Sequence, residues 1–422
     1  MPISQFRASR FPRRLRGMLA CLLGAALTLL ARASDEGLPI LRAFSPTDYQ
    51  NIYQMFSGVQ SPDGIVNFGG YAGVVRFDGN AWTSITVDGS AIRGLTIGPD
   101  GLVYVAGDDF FGRLEAAATG ALQYRSLLTE LEGQPVKVPG TRTLASSAEG
   151  VFAGTALGVL QRLPDGTLKR YPLSTSGRNR VFRLGDKIIN YSVAEGLHSF
   201  ANGQWTPLSS AAPLKVEGLH FLAEPLVQGD IAFFGMTGSG LYRITAQGEA
   251  IPLVTAADEA LKGRQFLSAC VRRDGSIMIG TTDAGAFWIS SDRQRFRHFP
   301  PSTVLPSPTI SSMFEDREGG IWMTTYNGIV RLDPDTPATV FDQRNGLGTG
   351  VIGTMVRHEG QLFMVYNSTL IRLTPSEKPG APARFVRDDR LPSNFPVSGA
   401  ISHPSGLVLT TLRGISLLRG DK

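Results

Sequence analysis

The sequence repeats itself about every forty residues, and this period constrains the fold more than any other feature. Each copy has two apolar runs separated by a glycine-containing turn, then a tip, then a third apolar run. The tips lie at Gly73, Gly112, Gly158, Gly196, Gly240, Gly285, Gly328, Thr369 and Gly414, spaced 38 to 46 residues apart. A period of this length made of short strands predicts an all-β β-propeller of about nine repeat units, with one blade per copy.

The turns between the first two runs support this interpretation. Pro62-Asp63-Gly64, Pro99-Asp100-Gly101, Arg273-Asp274-Gly275 and Pro404-Ser405-Gly406 occupy the same place in four copies. Proline presets φ, and glycine supplies the positive φ that tight turns need. The runs are rich in Val, Ile, Leu, Phe and Tyr, which favours strands, and only Asp258 to Arg264 resembles a helical turn.

Nine units exceed the four to eight blades of typical propellers, so two arrangements stay open. A seven-bladed ring at residues 34–343 with an incomplete second array at 344–422 is favoured over one large ring. Each unit is expected to have a more variable fourth strand, such as Ala338 to Asp342 after the seventh copy. Leu41 to Ser45 resembles an isolated fourth strand and Ile415 to Leu418 a third, so the two termini are expected to complete one blade and remove an exposed sheet edge.

The N-terminus has the pattern of an export signal. Five arginines between Arg7 and Arg16 precede the apolar run Met18 to Leu30, and Ala31-Arg32-Ala33 forms a small-x-small cleavage site. Residues 1–33 are therefore predicted to be a signal peptide, and the mature chain to be periplasmic without a membrane span. An uncleaved anchor is the alternative, but 13 apolar residues fall short of the ~20 that span a bilayer.

Charge and cysteine content exclude some classes of function once this segment is removed. Residues 1–33 contain six arginines and no acid, so the formal net charge falls from +5 to −1. Nucleic-acid binding thereby loses its compositional support. Cys270 is the one cysteine outside the predicted signal, and a lone thiol in a strand is expected.

The seventh copy carries a more specific pattern. An apolar strand is followed by Glu315-Asp316, a polar turn with Gly319, Ile321-Trp322, Asn327-Gly328 and Asp333-Pro334. This pattern resembles the two-component regulator propeller repeat. The resemblance covers roughly residues 40 to 418 and is strong in the first, sixth and seventh units. It implies a periplasmic sensor region of hybrid histidine kinases or diguanylate cyclases. The sequence given contains no kinase or cyclase output domain, so the resemblance covers at most the input part of such a receptor.

Motifs for catalysis are not found, so the chain is predicted not to be an enzyme and to need no cofactor or metal. Residues 348–353 fit G-x-G-x-x-G, but a strand-like run follows them where a phosphate-binding loop needs a helix, which favours an inter-blade loop. The histidines, at positions 198, 220, 298, 358 and 403, lack metal-ligand spacing. Adjacent acids such as Glu315-Asp316 leave a glycosidase pair open, although Asp316 is better placed to cap a turn.

The tips before the repeat glycines are the predicted ligand-binding positions, because the loop between the second and third strands shares a face with the inter-blade loop. The candidates mix tyrosine, asparagine and acids, which suits a polar or sugar-like ligand. They are Tyr71, Asp108, Phe110, Glu195, Asp283, Tyr326, Asn327 and Asn367. The four tryptophans are expected to pack between blades rather than to bind sugars.

The favoured function is a periplasmic ligand-sensing propeller module that binds a small-molecule or saccharide ligand. Its partner would be a signalling output domain or another protein, and a homodimer is also considered. Two alternatives from other classes stay open: a propeller polysaccharide hydrolase or lyase, which needs convergent acids at the channel mouth, and a protein-interaction scaffold, which needs a broad apolar patch.

Overall fold

The fold was analysed in a computed structural model that describes residues 35–128, 130–131, 134–135, 138–173, 178–208, 219–301, 304–376 and 381–420. The predicted signal peptide at residues 1–33 lies outside them. The chain divides into two compact units. The larger unit spans Pro39–Val340, and the smaller one is formed mainly by the residues that follow, together with the N-terminal stretch that ends at Leu38.

The larger unit consists of antiparallel sheets, of which its described residues form seven, apart from one short hairpin. Their strands, blade by blade, are Ser57–Gln60, Val66–Phe77 and Trp82–Ala91; Gly94–Ile97, Val103–Gly107, Phe110–Ala116 and Leu122–Ser126; Thr143–Ser147, Gly150–Thr155, Gly158–Arg162 and Leu168–Tyr171; Arg180–Leu184, Lys187–Ser192, Gly196–Ala201 and Gln204–Pro207; Ala232–Met236, Gly240–Ile244 and Ala250–Pro252; Phe266–Val271, Ile277–Thr281, Ala286–Ile289 and Phe296–Phe299; and Ile310–Glu315, Ile321–Thr325, Gly328–Leu332 and Leu41–Phe44. We number these blades 1 to 7 in that order. The hairpin pairs Glu130–Leu131 with Gln134–Pro135.

Helix is confined to short turns in the described part of the chain. They are the 3-10 helices Pro46–Tyr49 and Gln343–Asn345 and the α-helix Asp258–Leu261. The last of these confirms the helical turn predicted at Asp258.

The first strands of the blades lie side by side around a common centre. Ser57–Gln60 of blade 1 contacts both Gly94–Ile97 of blade 2 and Ile310–Glu315 of blade 7. In blade 5 the first-strand position is marked by a bridge between Ala223 and Phe233. These observations confirm the all-β propeller fold, while the predicted domain boundary at 343 stays a prediction.

The closure of blade 7 corrects the sequence-based expectation. Leu41–Phe44 pairs antiparallel with Gly328–Leu332, with Leu41 opposite Leu332 and Phe44 opposite Ile329. The expected partner was Ile415 to Leu418, and the expected fourth strand of blade 7 was Ala338 to Asp342. Both expectations are wrong, because the N-terminal strand already covers the outer edge of blade 7 and so leaves no edge for another strand.

Asp316 organises the turn that joins the first two strands of blade 7. Its Oδ1 accepts hydrogen bonds from the backbone N–H groups of Glu318 (3.0 Å) and Gly320 (2.7 Å). Its Oδ2 accepts from Trp322 Nε1 (2.9 Å) and from Arg331 Nε (2.8 Å). Asp316 is buried, which confirms that this acid caps a turn and gives it a structural role.

Aromatic side chains make most of the core between blades 7 and 1. Trp322 is buried and stacks on Phe44, with ring centroids 5.8 Å apart. Trp82 packs against Phe77 at 4.7 Å and against Phe44 at 5.1 Å. Phe68 completes the cluster. Trp82 and Trp322 thus pack between blades, as predicted for the tryptophans.

The smaller unit contains two further sheets in the residues that the structure describes. They comprise Ile352–His358, Gln361–Tyr366, Thr369–Thr374 and Arg384–Arg387, and then Gly399–His403, Gly406–Thr411 and Gly414–Leu418. A strand, not a helix, follows the glycine-rich residues 348–350, as the inter-blade loop interpretation predicts. Among the described residues, no helix is long and apolar enough to cross a membrane.

Candidate functional site

The first strands of blades 2 to 5 begin with a basic residue at an equivalent position. Arg93 precedes Gly94–Ile97, Arg142 precedes Thr143–Ser147, and Arg180 opens Arg180–Leu184. His220 occupies this position in blade 5, three residues before the bridge at Ala223. Because these strands surround one centre, a residue repeated at their starts is brought to one end of that centre.

A cavity of about 530 Å³ lies among the first strands of the larger unit. All seven blades contribute to it. Its lining includes Phe56, Ser57, Gly58, Arg93, Gly94, Leu95, Arg142, Thr143, Leu144, Arg178, Arg180, Val181, Phe182, Arg183, His220, Phe221, Leu222, Leu267, Ser268, Ala269, Ser311, Ser312, Met313 and Tyr326. We call it the central cavity, and its volume is in the range that holds small-molecule ligands in proteins.

The cations at its rim repel one another. Burial lowers the pKa of Arg180 to about 10, with a further contribution from the charges of Arg142 and Arg178. The pKa of Arg142 is also lowered, first by burial and then by Arg93 and Arg178, while Asp108 opposes the shift. All of these guanidinium groups still carry their charge at neutral pH.

The same positive charges also act on the pKa of His220. Burial, followed by the charges of Arg180 and Arg142, lowers its pKa to about 4, so the imidazole is neutral at pH 7. Each of these shifts has the same physical origin, which is a positive charge held in partly desolvated surroundings beside other positive charges.

These arginines are not neutralised by carboxylates in the part of the chain that the structure describes. None of its ion pairs includes Arg93, Arg142, Arg178 or Arg180. The Nε–H of Arg142 is buried and has no hydrogen-bond partner among the described residues. A buried donor without a partner is costly, so a water molecule or a ligand in the cavity would satisfy it.

Aromatic rings form the other side of the rim. Phe56 lies between Tyr71 of blade 1, at a centroid distance of 5.3 Å, and Tyr326 of blade 7, at 6.5 Å. The Arg93 guanidinium stands over the Phe56 ring at 4.5 Å. The backbone fixes this segment, since the N–H of Met55 donates to the carbonyl of Thr325 (3.1 Å). Tyr71 and Tyr326 stay 47% and 45% exposed, and Tyr326 lines the central cavity.

The structure places the predicted site residues in several surroundings. Tyr71 and Tyr326 meet at Phe56, and Asp108 lies at the blade 2 tip, where its charge acts on Arg142. Asn327 is the exposed neighbour of Tyr326, and its backbone N–H donates to Thr325 Oγ1 at 3.1 Å. These four therefore belong to the cavity end of the blades.

The remaining candidates are less well placed for a shared ligand. Phe110 is buried and packs in the core between blades 1 and 2. Asp283 pairs with Arg264 at 2.7 Å, and Glu195 is exposed at the tip of blade 4. Asn367 belongs to the smaller unit, where its Oδ1 accepts the N–H of Val351 at 2.9 Å. A ligand-binding role for these residues stays a prediction.

The arginines were missed at the sequence level, although a signal for them exists. In four consecutive units a basic residue stands two positions before a large apolar residue. The four segments are Arg93-Gly94-Leu95, Arg142-Thr143-Leu144, Arg180-Val181-Phe182 and His220-Phe221-Leu222. Aligning the units on their first strands, instead of on their tips, would have brought these positions into one column.

The fold and this cavity define the larger unit as a β-propeller with its polar groups at one end of the centre. Within it, the family model of the two component regulator propeller matches residues 304–327, which confirms the predicted resemblance in the seventh copy. A search of curated proteins finds no match to the sequence.

Solved structures share the fold. The chain is similar to the extracellular domain of the hybrid two component system BT3049 from B. thetaiotaomicron, with a TM-score of 0.68 and 14% identity over 90% of this chain and 53% of that one. It is also similar to the corresponding domain of BT4673 from B. thetaiotaomicron, with a TM-score of 0.55 and 16% identity over 89% and 52%. The chain thus spans about half the length of these receptor domains.

An enzyme has the same fold. Virginiamycin B lyase from Staphylococcus aureus matches 69% of this chain and 98% of its own length, with a TM-score of 0.55 and 12% identity. At these identities the likenesses show the fold alone, so the function must be argued from the cavity.

Proposed function

We propose that this chain is a ligand-sensing β-propeller module of a periplasmic receptor in two-component or cyclic-dinucleotide signalling. The observation that carries the proposal is the central cavity, whose rim holds uncompensated cations and exposed aromatic rings. The regulator propeller repeat in blade 7 and the similarity to extracellular receptor domains support it. A periplasmic location is part of the proposal and depends on the predicted signal peptide at residues 1–33.

Sensing would operate through a shift of populations. A ligand that bridges the rim contacts blades 1 to 5 and blade 7 together, so it favours the arrangement in which those contacts form. The Arg93 to Phe56 contact joins blade 2 to the start of blade 1, and Tyr326 extends the same group to blade 7. The output domain would be a further part of the receptor or a partner protein.

An enzyme would need different side chains at the rim of the central cavity. A polysaccharide hydrolase or lyase acts through acid and base groups that converge on the bond to be broken. In the described residues, the cavity lining is made of arginines, one histidine, hydroxyl groups and apolar side chains. This composition favours holding a ligand over protonating a leaving group, so we propose binding without turnover.

A thermal-shift screen of the purified chain against saccharides and small organic acids tests the proposal. We expect a ligand that raises the melting temperature, is recovered intact by mass spectrometry, and binds more weakly to Tyr326→Ala and Asn327→Ala. Tyr53→Ala is the matched control, because Tyr53 is 55% exposed and is not part of the cavity lining. Cleavage of the ligand would establish an enzyme instead.

The signalling part needs a second readout. In the source organism, the ligand should change transcription of a target gene. Deletion of the gene that encodes this chain should remove the response, and Tyr326→Ala should not strengthen it. An unchanged response in the deletion strain would overturn the sensor role even if the ligand binds.

A further inference from the structure

We propose that the central cavity is an anion-binding site, and that its ligand is a small organic molecule with at least two carboxylate, sulfate or phosphate groups held by Arg142, Arg178 and Arg180. The inference names the ligand class of the sensing site and so rests on the proposed function. It stands on the placement of the charges, the orphaned donor of Arg142 and the dimensions of the cavity.

The first argument is a contrast with two arginines that lie away from the cavity and are paired with carboxylates. The side chain of Arg272 is 2% exposed and pairs with Asp335 at 2.5 Å and Asp274 at 3.0 Å. Arg331 pairs with Asp316 at 2.8 Å. The arginines of the cavity rim lack such partners among the described residues, although pairing them would stabilise the fold. Charges left uncompensated at such a cost are typical of functional sites.

The second argument is geometric. A guanidinium group is planar and presents its N–H donors in a fork that matches the two oxygens of a carboxylate, sulfate or phosphate. Arg142 and Arg180 come from adjacent blades, and Arg178 is two residues before Arg180, so the three donors converge from two directions. A single monovalent ion would leave most of the positive charge uncompensated, whereas a ligand with two or more anionic groups would neutralise it.

The third argument concerns the rest of the ligand. A cavity of about 530 Å³ is larger than an isolated inorganic ion requires. Phe56 and Tyr326 offer apolar ring surface beside Arg93, which suits a carbon skeleton or a ring that carries the anionic groups. The cavity therefore fits a polyanion with an organic frame better than it fits free phosphate.

Isothermal titration at constant ionic strength tests the inference with three probes: citrate, pyrophosphate and the neutral sugar maltose. We expect citrate or pyrophosphate to bind one site saturably. The double variant R142Q/R180Q should weaken that binding at least about tenfold, because two charged hydrogen-bonding partners are lost. Arg125→Gln is the matched control, since Arg125 is paired with Glu115 on an outer strand. The comparison of citrate with pyrophosphate separates carboxylate from phosphate recognition.

A measurement on the unmodified chain covers the case in which the variant does not fold. Phenylglyoxal modifies accessible arginines, and mass spectrometry reports each site. Citrate should slow the modification of Arg142 and Arg180 at least about fivefold, because binding occludes their donors, and should leave Arg125 unaffected. Equal rates with and without the anions, or equal affinity in R142Q/R180Q, would overturn the inference.

The two proposals fail in different ways. If maltose or another neutral ligand binds at Tyr326 and the anions do not, the anion site is wrong and a sensor module remains. If the anions bind through Arg142 and Arg180 but deletion of the gene leaves the transcriptional response unchanged, the anion site stands and the sensor role is wrong.

Discussion

Arginines at the two ends of the propeller blades differ in whether they are paired with carboxylates. At the end where the first strand turns into the second, Arg272 and Arg331 are held by Asp335 and Asp316. At the opposite end, where the first strand begins, Arg142 and Arg180 have like charges for neighbours and burial lowers the pKa of both. We call these the paired and the unpaired end after these four arginines, although Arg264 at the second end is paired with Asp283. The four differ in that the paired arginines stabilise the fold, whereas Arg142 and Arg180 hold an electrostatic strain that a ligand could relieve.

Loss of Asp316 should have the largest effect. Asp316→Ala removes the acceptor for Trp322 Nε1 and Arg331 Nε and for two backbone N–H groups of the turn. Breaking a buried ion pair of this kind lowers the free energy of unfolding by about 3–5 kcal/mol. Urea denaturation followed by tryptophan fluorescence measures it.

Asp78→Ala is the control for that experiment. Asp78 caps an exposed turn through Asn80 N–H (2.8 Å) and Ala81 N–H (2.7 Å) but has no buried partner. Its loss should cost clearly less than the loss of Asp316. Equal effects of the two variants would show that the turn bonds, and not the buried pair, make Asp316 important.

The paired end is also the part that the sequence predicts well. Asp316 was recognised as a turn-capping acid because side-chain capping is a local interaction, read from spacing within one repeat. The strands and glycine tips follow from the same local rules, and the tip glycines Gly158, Gly240 and Gly328 have a positive φ. At Gly73 the chain reverses as well, because Arg76 Nε donates to Asn67 Oδ1 (3.0 Å), nine residues earlier, which a continuous extended strand would not allow.

The arginines of the unpaired end could not be predicted from patterns within one repeat. Arg142 follows Arg93 by 49 residues and Arg180 follows Arg142 by 38, and only closure of the ring brings them together. The partner of Leu41–Phe44 was misassigned for the same reason, because both Gly328–Leu332 and residues 415–418 offer a third strand with a free edge. Local patterns therefore predict blades, while tertiary structure determines which blade ends meet.

Replacing an unpaired arginine should stabilise the protein. Arg180→Met keeps the length of the side chain but removes a desolvated charge beside Arg142 and Arg178. We expect the free energy of unfolding to rise by about 1 kcal/mol, as when buried charges are replaced by apolar residues of similar volume. The matched variant Arg331→Met should destabilise, because it leaves Asp316 without its partner. A loss of stability in both variants would contradict the distinction between the two ends.

The pH dependence of stability should distinguish the ends as well. His220 has a pKa of about 4 in the folded protein, below the ordinary value of 6.5, because of burial and of Arg180 and Arg142, which face it. The unfolded chain therefore binds more protons between these values, so stability is complete above about pH 6.5 and declines as the pH falls towards 4. Citrate should flatten this decline, since an anion favours the protonated imidazole.

Denaturation midpoints at pH 7, 5.5 and 4.5 measure this effect. His220→Gln should show a shallower decline than the unmodified chain, although His198 and His298, whose pKa values burial also lowers, keep part of it. His298→Gln is the control, because its ring Nε2–H donates to the Ala284 carbonyl (2.8 Å), away from the arginines of the central cavity. If citrate changes the slope equally in His220→Gln, the anion does not act through the cavity.

The aromatic side of the rim should give the smallest change in stability. Tyr326 is 45% exposed and touches Phe56 only edge-on, so Tyr326→Ala should change the free energy of unfolding by less than about 0.5 kcal/mol. It should still weaken the binding of a ring-containing dicarboxylate such as phthalate about threefold, because it removes one aromatic surface, and leave citrate binding nearly unchanged. Titration of both anions against Tyr326→Ala and Tyr53→Ala measures the difference. If citrate and phthalate lose affinity equally, Tyr326 contributes through its hydroxyl group or through the fold, and the division of the rim into a charged and an aromatic side is wrong.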